Sequence, residues 1–221
     1  MNLNRELDQL YIQINDLRDK DFLDDKDIAA LKRLAQHQDS GVRYDVAEIL
    51  VNADAAQAED ILVPMLNDKD YLVRLNACDS LCISANPQVI ELLKEIIARD
   101  KAGLVRFYAV LTIGDIALNI NANRQELLEF LEQRLLCEKN MHTKIAFFRT
   151  MFLLGKEQYL QHLIEQLKTK NYRNRCATVK SLADIVNNSN KAEIVAALEE
   201  LQKVEETVAV HSSLEQVLGD L

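Results

Sequence analysis

Apolar residues recur three and four positions apart along nearly the whole chain, which is the spacing of amphipathic helices. The stretch "DSGVRYDVAEIL", residues 39–50, shows the pattern and an anomaly within it. Val42, Val46, Ala47 and Leu50 form a stripe, yet the permanently charged Arg43 stands directly behind Val42. The arrangement repeats. "DKDYLVRLNACDSL" places Val73 before Arg74, with Ala77, Cys78 and Leu81 following; "AGLVRFYAVLTIG" places Val105 before Arg106, with Ala109, Val110 and Ile113 following. Looser copies put Lys144, Arg175 and His211 at the charged position. The six anchors are separated by 31, 32, 38, 31 and 36 residues. A period of this length marks supersecondary units that bury their apolar faces against one another.

Four residues before each anchor stand Asp39, Asp70, Ala102, Asn140, Asn171 and Thr207, and all but Ala102 are favoured helix N-caps. Each cap is preceded by another apolar-periodic segment, for example "DKDIAALKRLAQ" and "PQVIELLKEIIAR". Pro87 occupies a position where a first-turn proline is favoured. The chain is therefore expected to be a single array over 1–221, with repeats at about 25–52, 56–84, 87–118, 123–154, 157–187 and 190–219. The segment "LNRELDQLYIQINDL" is expected to form an N-terminal cap over 1–22 that covers the exposed end of the core, as terminal units of such arrays must.

These residues resemble HEAT repeats in their short bacterial form. "ILVPMLNDKDYLVRLNACDSL" carries the likeness best, with Pro64 late in the first helix, the turn residue Asp70, then Val73 and Arg74. The resemblance implies an all-α fold, a right-handed α-α superhelix of about six helical hairpins plus the N-terminal capping helix. It also implies a ladder at the seams between repeats. Arg43, Arg74 and Arg106 would pair with Asp39, Asp70 and, in the third unit, Asp100, and Arg175 would hold the same place further on. Lys144 and His211 depart from that pattern.

Composition narrows the function. Seven Gly and Pro in 221 residues argue against a sheet-rich fold, which needs many turns. A net charge of −9 opposes nonspecific nucleic-acid binding. The N-terminal "MNLNRELDQL" lacks the basic start and apolar run of a signal peptide, and no run approaches the length of a membrane span. Four cysteines without paired spacing fit small, buried, reduced thiols in a cytoplasmic protein.

The four histidines fall in different units, and the sequence contains no HExxH, His-Glu pair, GxSxG or glycine-rich phosphate loop. The HEAT-like deoxyhypusine hydroxylases rely on His-Glu pairs, so the chain does not resemble them. No catalytic residue, cofactor or metal is expected. HEAT-like alkylpurine DNA glycosylases offer an alternative: residues 134–180 hold ten Lys or Arg against three Asp or Glu, whereas residues 1–100 hold eleven basic and twenty acidic residues.

In a helical solenoid the second helices line the binding surface. Positions off the apolar stripe of those helices give a candidate groove of Tyr44, Asp45, Glu48, Asn76, Asp79, Phe107, Tyr108, Arg149 and Lys180. It would run from acidic through aromatic to basic, with Tyr108 as the central anchor. The expected function is a non-enzymatic scaffold or adaptor for a protein partner, with an inhibitor or immunity-type protein as a sharper form. A client-binding protein resembling phycobilisome lyase HEAT proteins is the remaining alternative.

Overall fold

The computed structural model describes the backbone of residues 2–20 and 22–221, and the side chains of residues 9–20 and 22–221. Met1 and Asp21, both within the expected cap, lie outside the described residues. Among the described residues there are thirteen α-helices and no strand. Contacts divide the chain into two compact units, Met1–Ile120 and Asn121–Leu221.

The first unit opens with α1 (Asn2–Arg18) and continues with α2 (Asp25–Leu34), α3 (Ser40–Ile49), α4 (Ala55–Met65), α5 (Tyr71–Ser80), α6 (Pro87–Arg99) and α7 (Gly103–Asn119). The second contains α8 (Arg124–Cys137), α9 (Met141–Leu153), α10 (Tyr159–Gln166), α11 (Tyr172–Asp184), α12 (Lys191–Val204) and α13 (Val208–Asp220). Helices pair into antiparallel hairpins, and within each unit the second helix of a hairpin packs on the next second helix. In the first unit α1 lies on α3, α3 on α5 and α5 on α7; in the second, α9 lies on α11 and α11 on α13. The first helices α2, α4 and α6 make no comparable contact with one another among the described residues. Tighter spacing of the second helices makes theirs the concave side of that unit.

Small residues at the seams permit the close approach. Ala47, Ala77, Cys78 and Ala109 have no exposed surface, and they sit beside Val46, Leu81, Val110 and Ile113. Burying each such aliphatic side chain contributes about 1.5–3 kcal/mol. The Tyr11 hydroxyl of α1 lies over Gly41, where an added Cβ would be 2.9 Å away. The caps behave as their chemistry requires. Asp39 Oδ1 accepts from the Gly41 amide at 2.7 Å and Asp70 Oδ1 from the Leu72 amide at 2.9 Å; Asn140 and Asn171 cap α9 and α11 likewise. Thr207 departs from expectation, since its hydroxyl accepts from Arg175 Nη2 at 3.1 Å and makes no cap bond.

The repeated arginine is a seam residue, but its expected partners need correction. Asp39 and Asp70 are occupied by their own helix ends. Arg43 instead reaches forward to Asp68 of the next hairpin, Nε to Oδ2 at 2.6 Å and Nη2 to Oδ1 at 2.8 Å. Its Nη1 donates to the carbonyls of His37 and Gln38 at 2.7 and 3.1 Å. Arg74 repeats this on Asp100 at 2.6 and 3.0 Å, with Nη1 on the Asp68 carbonyl at 2.8 Å. Arg175 repeats it on Glu205 at 2.6 and 2.7 Å, with Nη1 on the Thr169 carbonyl at 2.9 Å. Arg106 places Nη1 on the Asp100 carbonyl at 2.8 Å. The acceptor carboxylate stands two residues before the cap, where it also accepts a backbone amide. Asp68 takes that of Asp70, Asp100 that of Ala102 and Glu205 that of Thr207, each at 2.8 Å. Such bidentate, charge-assisted pairs are the strong ones.

Two acidity changes follow. The Arg43 guanidinium holds the Asp68 carboxyl below the ordinary carboxylate range. Arg175, with the Thr207 amide and hydroxyl, lowers Glu205 to about 2 although burial opposes the shift.

The ladder is interrupted once inside the second unit. Lys144 stands at the arginine position, and Thr169 stands where the acceptor carboxylate would be. Among the described residues Lys144 makes no ion pair. Other bonds tie α9 to α11 there: His142 Nδ1 to Asn174 Oδ1 at 3.2 Å, and Arg149 Nε to Asp184 Oδ2 at 2.7 Å.

Arg74→Ala removes three donors at once and leaves the 95% buried Asp100 side chain with its charge uncompensated by the fork. It is expected to cost roughly 2–4 kcal/mol, read as a lower denaturation midpoint. The combined change Lys144→Arg and Thr169→Asp installs the missing rung. The pair should stabilise by about 1 kcal/mol beyond the sum of the single changes, a coupling that a double-mutant cycle in denaturant measures. Because the Glu205 pKa is lowered from 4.5 to about 2 in the folded state, its contribution is present above the ordinary value and is lost as pH falls toward 2. Unfolding midpoints measured at about pH 5 and about pH 3 should differ less in Glu205→Gln than in the parent protein.

Candidate binding surface on the second helices

The concave side of the first unit is built by α3, α5 and α7. Positions five, six and nine past each cap lie beside the buried stripe and face outward from it. On α3 they carry Tyr44, Asp45 and Glu48; on α5, Asn76 and Asp79; on α7, Phe107 and Tyr108. Tyr44 and Tyr108 are half-buried, and Glu48 and Asp79 are exposed. Asn76 is buried, and its Nδ2 donates to the Tyr44 carbonyl at 3.3 Å, so it fastens α5 to α3 and leaves its neighbours as the outward-facing groups. Phe107 is also buried and supports Tyr108 edge-on, with centroids 5.3 Å apart and planes at 78°.

The electrostatics of this face are acidic. Desolvation by surrounding protein, reinforced by Asp115, pushes the Asp79 carboxyl above its ordinary value. Burial, then Asp79 and Tyr44, push up the Tyr108 hydroxyl. Burial, Asp79 and Asp115 do the same to the Cys82 thiol. Tyr44, Asp79, Cys82, Tyr108 and Asp115 thus form one electrostatic neighbourhood. Asp115 and Cys82 were not among the sequence-derived candidates. Asp115 is seven residues past Tyr108, two turns along the same face, on a 17-residue helix longer than the other second helices. That spacing was the available signal.

The cap helix alters the acidic end. Arg18 Nη2 of α1 lies 2.7 Å from Asp45 and 3.2 Å from Glu48. Those carboxylates, expected to be open to a partner, are partly neutralised by the chain itself.

In the second unit the candidate groups fare differently. Lys180 is exposed on α11. Arg149 is 8% exposed and bound to Asp184, so it is a packing residue and not an open cation. The basic character of residues 134–180 is likewise divided: Arg175 goes to Glu205, Arg149 to Asp184 and Lys156 to Glu132 at 2.9 Å.

The thiols are less uniform than expected. Cys78 is buried and burial pushes its thiol up, Cys82 and Cys176 are half-buried, and Cys137 is exposed; all four are free. Among the described residues no three His, Cys, Asp or Glu side chains converge to hold a metal ion, and no helix is long and apolar enough to cross a membrane.

Comparison with known proteins accounts for this geometry. The family model for HEAT repeats matches residues 28–114, the stretch that contains the Arg43 and Arg74 rungs. Residues 28–114 carry HEAT repeats. The HEAT fold extends beyond the matched stretch. A structure of the complex of CpcE and CpcF of phycocyanin lyase from Nostoc sp. PCC7120 superposes with a TM-score of 0.66 at 18% identity, covering 96% of this chain and 88% of that one. Human deoxyhypusine hydroxylase in complex with glycerol aligns with a TM-score of 0.43 at 17% identity, over 98% of this chain and 90% of that one. An engineered protein aligns with a TM-score of 0.42 at 14% identity, over 88% and 96%. No curated protein matches the sequence. At 18% identity the superposition on the CpcE–CpcF complex establishes the fold and not an activity.

Proposed function

We propose that this HEAT-repeat protein is a non-enzymatic scaffold that receives a basic segment of a protein partner on the second helices of its first unit. The observation that carries the reading is the face formed by Tyr44, Asp79, Tyr108 and Asp115. Two hydroxyl-bearing rings stand there among carboxylates, close enough that Asp115 raises Asp79 and Asp79 raises Tyr108. Rings with a polar tip, set in a half-buried position, are typical binding anchors. Carboxylates around them attract a Lys- or Arg-rich segment and orient it. The same groups do not compose a nucleophile with a base and an orienting partner, which favours binding over catalysis. The net charge of −9 points the same way and suits an adaptor or an inhibitor of a basic protein. Four free cysteines fit a cytoplasmic setting.

The lyase-like reading draws on one observation, the superposition on a phycocyanin lyase complex, which is itself an assembly of CpcE with CpcF. It shares the expectation of a protein client and differs only in what the client carries.

Tyr108→Ala is expected to weaken partner binding by roughly 2 kcal/mol, chiefly through faster dissociation. Arg18→Ala uncovers Asp45 and Glu48 and should speed association at low salt. Binding kinetics against a partner recovered from the native host at low and moderate salt test both. Slower association in Arg18→Ala, or wild-type dissociation in Tyr108→Ala, would place the partner elsewhere. A salt-labile nucleic acid recovered instead of a protein would favour the glycosylase-like alternative.

A further inference from the structure

The turns that carry the arginine ladder show a second regularity that the ladder does not use. Twelve large apolar side chains are exposed among the described residues, and six of them occupy just the two positions after a second-helix cap. Tyr71 and Leu72 follow Asp70, Leu104 follows Ala102 by two, Met141 follows Asn140, Tyr172 follows Asn171 and Val208 follows Thr207. Scattered apolar side chains need no explanation, but concentration at one repeat position does. The residue immediately before the cap is Lys69, Lys101, Lys139 and Lys170 in four of the six hairpins, and every one is exposed. Among the described residues none of these four ammonium groups is ion-paired.

The nearest acids make no salt bridge to them, although Lys69 is close enough to help lower the Asp68 carboxyl. Asp68 and Asp100 are held by Arg43 and Arg74, and Asp70 is turned onto the Leu72 amide. In the second unit Asn140 and Asn171 replace the acidic cap, and Arg173 adds a further cation over the Tyr172 ring at 5.7 Å. Each unit taken by itself thus offers a turn edge of apolar side chains interleaved with free lysines, on a protein whose net charge is −9.

We propose that these turn edges are docking surfaces for an acidic, apolar-containing segment of a partner protein. Charge complementarity fixes the sign of the occupant. The aliphatic members Leu72, Leu104 and Met141 favour a protein, since single-stranded nucleic acid is held mainly by aromatic and arginine stacking. Geometry fixes the period. Neighbouring packed helices lie about 8–10 Å apart, and an extended chain advances about 3.3 Å per residue, so one repeat is matched by about three residues of the ligand. An extended segment with an acidic residue at every third position and apolar residues between would address successive lysines and apolar side chains together. This surface is separate from the concave face above and stands or falls without it.

The test selects twelve-residue peptides from a random phage-displayed library on the immobilised full-length chain, then measures the affinity of the synthetic winners. The expected winners are acidic with interspersed apolar residues. Their affinity should fall about tenfold in Lys69→Glu with Lys101→Glu, or in Lys139→Glu with Lys170→Glu, and should fall in Tyr71→Ser with Leu72→Ser. It should be unchanged in Asp79→Ala and Tyr108→Ala, which separates this surface from the concave one. These edge residues are exposed, so circular dichroism should show the parent fold in every variant. Basic winners, absence of enrichment, or affinities indifferent to the lysine reversals would overturn the proposal. So would a single-stranded DNA twelve-mer that binds more tightly than the winners and is lost in the same variants.

Discussion

Stacking helical hairpins side by side leaves the carbonyls at the end of each first helix and the amides at the start of each second helix without helical partners. At the seams of Arg43, Arg74 and Arg175 one arginine meets part of that shortage. In the Arg74 rung a single guanidinium takes the Asp68 carbonyl of its own turn and both carboxylate oxygens of Asp100 in the next. Asp100 in turn accepts the Ala102 amide, so one rung satisfies two turns and fixes their spacing. A lysine could not do this, because its ammonium lacks the planar fork that matches a carboxylate. The charge beside the buried stripe is therefore a structural requirement of repeat stacking, met by pairing it forward.

The interruption at Lys144 and Thr169 shows the requirement from the other side. Donor and acceptor positions are both changed, so no acceptor carboxylate is left there without its guanidinium fork. The bonds His142 to Asn174 and Arg149 to Asp184 hold α9 against α11 along the helices and not at the turn. Burial lowers the His142 pKa, which keeps its imidazole neutral and suited to a bond with an amide side chain. At the beginning of the array His37 occupies the acceptor position and its Nδ1 accepts the Asp39 amide at 3.1 Å.

Much of the helical pattern could be read from the sequence because caps, apolar spacing and the charged anchor report independently on the same register. Pairing was less legible. Asp39 and Asp70 were plausible arginine partners by proximity in sequence, and local geometry makes them helix caps instead. The true acceptors, Asp68, Asp100 and Glu205, stand 25 to 30 residues beyond their arginines, and only a fold brings them near. The recurrent offset of six residues from acid to anchor was present in Asp68 and Arg74 and in Asp100 and Arg106, but it links successive rungs and not partners. On the concave face, phase along the helix marked Tyr44, Asp79 and Tyr108. It could not show that Asn76, Phe107 and Arg149 are buried by neighbouring helices. Nor could it show that Arg18, from the cap, lies on Asp45 and Glu48.

The ladder separates the parts of the repeat that must stay fixed from those free to differ. Cap, acceptor acid, arginine and apolar stripe are constrained by packing. Positions just before and after the cap, and on α3 and α5 those nine past it, touch little of the core, so their side chains answer to whatever lies outside. In the first unit the two sets differ in sign: free lysines with apolar neighbours along the turns, carboxylates with tyrosines on the second helices. Solubility alone would be served by mixing charges on both surfaces. Segregation by repeat position costs the fold nothing, because neither set carries the stacking.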